Sequence, residues 1–305
     1  MLTNKFGADE AIVAAVTNDS YDAEGSDITI TGLSRPPQMR VLEKRHGDKI
    51  VEDVSDKLAS LRGQITHEIL ERAGKKFPWN EKRLFINVLG WRVSGKPDKL
   101  ENVTLESGHL VDYKNPTLSS FLFGFQRDKG LKKEYVEQGN GLRYFFAKNG
   151  IEVLKITFKA TLLEWSKSKA AKRFGEYPDR PFFNYELPMW TLGETQSWIE
   201  KRVRVHQAAE LLPDNMLPEC TAEERWEQPS KYAVKKEGRK SAVKGGVLDS
   251  AEDAQKLAYL LGPGHYIENR PGEATRCAYY CRVKDFCHQA KKSLPEGVDM
   301  SMANI

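Results

Sequence analysis

The sequence predicts an α/β fold, a mixed central sheet flanked by helices, with a cysteine-cluster subdomain at its C-terminal end. Three observations carry this prediction. Apolar residues recur at helical spacing in two long segments, 54–72 and 194–212. Runs rich in β-branched and aromatic residues, bounded by turn residues, occupy 84–93, 151–165 and 183–190. From about Pro213 the texture changes to short elements, and the four cysteines all lie beyond that point.

Residues 1–25 show little pattern beyond a short apolar run at 11–16, and are expected to form a flexible N-terminus. The core is expected to span 26–212. In the helix over 54–72, Leu58, Leu61, Ile65 and Ile69 form an apolar stripe, with Asp53 or Ser55 as the cap. His67 stands two residues past Ile65 and flanks that stripe. The segment 84–93 is the first expected core strand. It runs into a hairpin in which Trp91-Arg92-Val93-Ser94 leads to Asp98, Glu106-Ser107-Gly108 turns, and His109-Leu110-Val111 leads to Asp112.

A helix over 135–148 should follow and end near Gly150. Gly139 and Gly141 each weaken it by ~1 kcal/mol relative to alanine, or else permit close approach of a backbone. Strands over 151–165 and 183–190 come next. The amphipathic helix over 194–212 is stopped by Pro213. The subdomain over 213–290 should hold strands near 232–235 and 242–247 and a helix over 250–261, capped by Asp249 or Ser250. Residues 291–305 are expected to be a tail.

Composition constrains the setting. The 305-residue chain has a formal charge of +4 and ample apolar residues for a core. Neither a signal peptide nor a transmembrane segment is evident, so a cytoplasmic protein with reduced thiols and no membrane partner is expected.

The chemistry concentrates at Gly95-Lys96-Pro97-Asp98 and Asp112-Tyr113-Lys114. Alternation along a strand puts Asp112 and Lys114 on one face and Tyr113 on the other, and strand pairing can bring Asp98 beside them. Hard divalent cations choose carboxylate oxygens; they neutralise a scissile phosphate and generate hydroxide. Asp98 and Asp112 would hold such a metal. Lys114 would orient the attacking water or stabilise charge growing on the phosphate. A surface hairpin with a solvated ion pair is the competing reading. His67 alone would be an ordinary surface or core residue; with this hairpin following, it becomes a candidate ligand.

Cys220, Cys277, Cys281 and Cys287 form a second constellation, with Cys277 and Cys281 one helical turn apart. Four thiolates suit an iron–sulfur cluster or tetrahedral zinc; unpaired buried cysteines are the alternative. Lys231, Lys235, Lys236, Arg239, Lys240 and Lys244, with Trp226 and Tyr232 nearby, could follow phosphates and stack on bases. A solvated strand-turn-strand face explains the same residues. Arg40, Lys44 and Arg45 make a smaller basic group.

The order of histidine helix, Gly-Lys-Pro-Asp and Asp-Tyr-Lys resembles the PD-(D/E)xK nuclease superfamily, and within it the RecB-like branch of phage exonucleases and CRISPR-associated iron–sulfur exonucleases. The segment from Ile28 through Pro36-Pro37 resembles the start of such phage proteins. The resemblance implies metal ligation (Mg²⁺ or Mn²⁺) by His67, Asp98, Asp112 and the main-chain carbonyl of Tyr113, with Lys114 catalytic. It adds Gln138 on the next helix, touching DNA or supporting the site; Leu142 replaces the family's tyrosine four positions later. It also favours a [4Fe-4S] cluster over zinc, although no cysteine precedes Cys220 to supply the family's upstream ligand. His288 is a possible substitute. The implied activity is a 5′ to 3′ DNA exonuclease acting on single-stranded DNA or DNA ends in phage or prophage recombination. Its partners would be a single-strand annealing protein or host recombination proteins. The alternatives are a CRISPR-type spacer-end-processing nuclease and a non-catalytic DNA-binding or inhibitor protein on the same fold.

Overall fold

Two segments far apart in sequence, Pro36–Ile50 and the chain from Leu212 onward, fold into one unit, while Met1–Arg35 and Val51–Leu211 form another. The computed structural model describes residues 1–18, 23–74, 76–124, 131–173 and 175–293. The division falls between Leu211 and Leu212, and 36–50 lies in the unit that holds the C-terminal segment. Long-range contacts made the difference, and local pattern carries no trace of them.

The chain opens with β1 (Leu2–Thr3) and α1 (Glu10–Thr17). The short apolar run at 11–16 lies within α1. The Asp9 side chain caps α1 by accepting from the Ala11 N–H. Strand β2 (Ile28–Thr29) runs directly into α2 (Ile30–Ser34), and α3 (Pro37–His46) belongs to the second unit. Strand β3 (Glu52–Asp53) pairs in parallel with β1. Asp53 accepts from Thr3 Oγ1 at 2.7 Å and from the Lys5 N–H at 2.9 Å, and so anchors the N-terminus. It also caps the 3₁₀ turn Val54–Lys57 that leads into α4 (Leu58–Ala73).

Helix α4 has the expected spacing but a different environment. It buries no residue, and Leu58, Ile65 and Ile69 are about half exposed. Periodicity identifies a stripe but cannot say whether another element covers it.

The next expected strand is a hairpin. Strands β4 (Leu84–Val88) and β5 (Trp91–Gly95) are antiparallel. They turn at Leu89 and Gly90, whose φ values of +50° and +82° fit a tight two-residue turn. Parallel β2 completes this sheet in the order β2-β5-β4. After a bend at Lys96-Pro97-Asp98, β6 (Lys99–Asn102) pairs antiparallel with β7 (Ser107–Lys114). The turn thus lies at 103–106, because Ser107 and Gly108 already belong to β7. The partner of β7 is β6, not β5.

The crossover from β7 carries α5 (Leu118–Gly124) and α6 (Lys133–Lys148) to β8 (Glu152–Thr161), which lies parallel to β7. Helix α7 (Lys167–Lys172), antiparallel β9 (Phe182–Glu186) and α8 (Leu192–Glu210) follow. A mixed sheet results, in the order β6-β7-β8-β9. Thr191 and Glu194 form a reciprocal capping box at the start of α8. Leu110, Leu142, Phe145, Phe146, Ile156, Phe158, Ile199 and Val203 build the core. Gly139 and Gly141 allow α6 to lie directly on Ile156, Leu187 and Ile30, so the close approach is by side chains rather than a backbone.

The second unit holds β10 (Glu227–Gln228), β11 (Lys231–Lys236), β12 (Ala242–Leu248), α9 (Ala251–Leu261), β13 (His265–Arg270) and β14 (Glu273–Ala274). Strands β12-β11-β13 form an antiparallel sheet, and β10 pairs with β14. Ser250 caps α9 by accepting from the Asp253 N–H. Helix α10 (His288–Ser293) occupies the beginning of the expected tail, whose remainder, from 294, lies outside the described residues.

Candidate functional site

The first site grows from the end of β7 in the first unit. Alternation along the strand places Asp112 and Lys114 together, and Lys114 Nζ lies 2.8 Å from Asp112 Oδ1 and 2.7 Å from Oδ2. The intervening Tyr113 N–H donates to Asp98 Oδ2 at 2.7 Å. This bond ties the bend before β6 to the end of β7. From α6, Gln138 Nε2 donates to Asp112 Oδ1 at 3.2 Å. From α4, His67 Nδ1 comes within 3.6 Å of Asp98 Oδ1. Four separate elements therefore converge on two carboxylates. His67, Asp98 and Tyr113 line one cleft.

Sequence reasoning missed Glu81. One ligand atom from each of His67, Glu81 and Asp98 lies within 4.8 Å of the others. Glu81 has a left-handed backbone, φ +53°, in the turn before β4, and its N–H donates to the Pro97 carbonyl at 3.1 Å. Lys96 Nζ lies 2.6 Å from its carboxylate. No local motif marks this residue; only the closure of the loop onto Pro97 brings it in. Tyr135 was also missed as a neighbour of the site. It stacks on Phe158 at 4.7 Å, and Lys114 Nζ stands 5.9 Å from its ring centre.

Burial, reinforced by the Asp112 carboxylate, pushes the Asp98 carboxyl up to about 8. Burial opposes the charge on Lys114, but Asp112 and Asp98 outweigh it and hold the ammonium above its usual range. Burial, with help from Lys114, lowers His67, which favours the neutral imidazole that ligates metals. An imidazole and the Glu81 and Asp98 carboxyl groups offer donors of the kind a hard divalent ion takes, with Asp98 giving up any proton on ligation.

The second site lies wholly in the other unit. Cys220, Cys277, Cys281 and Cys287 line one small pocket with Gln38, Arg225, Arg276 and Gln289. All four are free thiols, and the last three are buried. The helical turn expected around Cys277 is a π-turn, Arg276–Tyr280, with Cys281 immediately after it. Gln38 of α3 is almost fully buried, and its Oε1 accepts from Cys220 Sγ at 3.5 Å and Cys287 Sγ at 3.4 Å. Gln38 thus links Cys220 and Cys287 through one amide oxygen. His288 is held by Gln38 Nε2 at 3.3 Å and Glu219 at 3.4 Å, and Gln289 ties both backbone polar groups of Cys220.

Burial, then Glu224 and the other cysteines, pushes the Cys220 thiol up to about 12, and burial above all takes Cys281 to about 11. Four such sulfurs cannot share a pocket as bare thiolates. Arg225 Nε is buried without a hydrogen-bond partner and lines the same pocket. A sulfur-ligated metal centre fits both observations: it stabilises the thiolates and presents negative charge to the guanidinium.

The expected basic region spans β11, the following turn and the start of β12. Lys235 is taken up by Glu268 and Lys231 by Asp249. Lys236, Arg239 and Lys240 are exposed at the turn. Lys235 is therefore an internal ion-pair partner.

No family model and no curated protein matches the chain. The chain is similar to the crystal structure of SSO0001, with 17% sequence identity and a TM-score of 0.43, over 64% of this chain and 84% of that chain. A likeness of that degree carries no argument about function, so the chemistry above must stand on its own residues.

Proposed function

We propose that this chain is a divalent-metal-dependent deoxyribonuclease of the PD-(D/E)xK superfamily, RecB-like branch, acting as an exonuclease at DNA ends. The observation that carries the reading is the convergence of Lys114 and Gln138 on Asp112 next to Asp98, which accepts from the Tyr113 N–H and faces His67. His67, Asp98, Asp112 and the Tyr113 carbonyl would hold Mg²⁺ or Mn²⁺. When bound, the ion supplies charge neutralisation at the scissile phosphate and lowers the pKa of an attacking water. Asp112 holds the Lys114 ammonium where charge grows on the phosphate, and Gln138 fixes the Asp112 rotamer. The cysteine centre, a [4Fe-4S] cluster or zinc, serves folding rather than turnover, because metal-binding free energy becomes folding free energy. DNA processing in recombination, beside a single-strand annealing protein or host recombination proteins, is the corresponding setting.

The test is cleavage of end-labelled linear DNA by the parent and Lys114→Ala, with Mg²⁺, Mn²⁺ or chelator. Single-stranded, duplex and closed circular substrates are run together. Metal-dependent loss of linear DNA by the parent alone is expected, and the label pattern gives polarity. Cleavage of circles would replace exonuclease by endonuclease. Absence of cleavage in protein with its cysteine centre loaded would overturn the proposal.

A further inference from the structure

The cysteine-bearing turn has a second face. Cys277 and Ala278 of Arg276–Tyr280 point inward, while Tyr279 and Tyr280 are 52% and 68% exposed. Trp226, on a turn before β10, is 45% exposed. Its ring centre lies 5.5 Å from that of Tyr280, which in turn lies 6.4 Å from Tyr279. The Arg276 guanidinium sits 5.2 Å from the Trp226 ring centre. Three exposed aromatic rings thus form a continuous patch, with the half-buried Arg276 guanidinium beside Trp226.

The patch is built rather than incidental. Trp226 has φ +52°, a conformation that a bulky residue adopts only when its surroundings impose it. The surroundings are visible: the Arg276 N–H donates to the Arg225 carbonyl at 3.0 Å, Arg276 Nη1 donates to the Glu224 carbonyl at 3.0 Å, and β10 pairs with β14 beside it. Tyr279 Oη donates to Glu273 at 2.8 Å, which fixes that ring. Neighbouring acids are engaged, Glu273 by this phenol and Glu227 by Arg225. The rings are inclined at 56° and 71°, so they do not cover one another's faces.

We infer that Trp226, Tyr279, Tyr280 and Arg276 form a stacking platform for the unpaired bases of single-stranded DNA. Aromatic faces beside a guanidinium match nucleobases, which present π-faces whatever their sequence. Duplex bases are already stacked and cannot use such a surface. For its ligand the inference rests on the proposed DNA-processing function, but it needs no turnover.

The experiment uses the full chain carrying Lys114→Ala, so that oligonucleotides survive. Fluorescence anisotropy would follow labelled oligothymidylate, an abasic chain of equal length, and a duplex. Tyr280→Ala should weaken oligothymidylate binding about tenfold and leave the abasic chain and duplex unaffected. Tyr280→Phe should bind as the parent does. Thermal melts confirm folding, and Tyr280 is the ring whose exposure makes that test safest; Tyr279→Ala provides a second variant. Unchanged oligothymidylate affinity in both alanine variants would overturn the inference and give the patch to a protein partner. Equal losses on oligothymidylate and the abasic chain would overturn it too, since stacking needs bases. Ring-dependent binding by a chain whose Lys114 form cleaves nothing would sustain the platform and remove the nuclease reading. Cleavage without ring dependence would do the reverse.

Discussion

Gly141→Ala tests how α6 is held against the core and hence how Gln138 reaches Asp112. A Cβ at Gly141 would lie 2.2 Å from Ile30 Cδ1 and 2.3 Å from Ile30 Cγ1. Carbon atoms prefer about 3.5–4.0 Å, so more than about 1 Å of separation must be created. Ile30 is 2% exposed and cannot swing into solvent. Overpacking of this kind costs roughly 1–3 kcal/mol, and the severity of the contact favours the upper end. Replacing a helical glycine returns about 1 kcal/mol. The net expectation is a loss of about 1–2 kcal/mol, measured by urea unfolding. Because Gln138 lies one turn before Gly141, the shift should also loosen its 3.2 Å bond to Asp112. A double-mutant cycle makes the cause specific. Ile30→Ala removes both clashing atoms and leaves only the Ile30 Cβ, at 3.8 Å. In that background Gly141→Ala should be neutral or stabilising by up to ~1 kcal/mol. Equal effects in both backgrounds, or a single variant as stable as the parent, would refute the packing argument. Gly63→Ala on α4, where a Cβ meets nothing within 4 Å, is the control and should stabilise by ~1 kcal/mol.

Asp98→Asn should leave chelator-treated protein at least as stable as the parent, since burial and Asp112 already push that carboxyl up to about 8. Mn²⁺ should raise the melting temperature of the parent and not of the variant; an equal rise in both would exclude Asp98 as a ligand. The Lys5 and Ser55 N–H groups and the Thr3 hydroxyl hold the Asp53 carboxyl well below the usual range. Its stabilisation is therefore fully present above the unfolded carboxyl value, about 3.9, and is lost as pH falls through the lower folded value. Asp53→Asn should destabilise the protein at neutral pH and flatten the acid limb of its stability curve; a parallel limb would contradict this. Cys281→Ser should lower the melting temperature and the bound iron or zinc together, by thermal melts and metal analysis. A variant with unchanged stability would end the structural role of the cysteine centre.

Much of the architecture was legible because it is written in local pattern. The β-branched content of β8, the amphipathic α8 and the apolar register of α6 follow from residue spacing alone. So does the meeting of Asp112 and Lys114, since two residues apart on one strand must share a face. The four cysteines were likewise visible as a set.

What sequence could not specify was decided by contacts across long stretches of chain. The apolar stripe of α4 was visible, but its exposure was not, because spacing records a face and not its partner. Glu81 enters the candidate metal centre only because its turn closes on Pro97. Gln38, an unremarkable glutamine in the sequence, reaches two cysteines roughly 180 and 250 residues away in the chain. The sequence by itself determined the Asp112–Lys114 pair, the set of four cysteines and the longer periodic segments, because those follow from residue type and period. Only the tertiary structure decided which carboxylates share a cleft and which sulfurs share a pocket, because burial and proximity arise when distant segments pack.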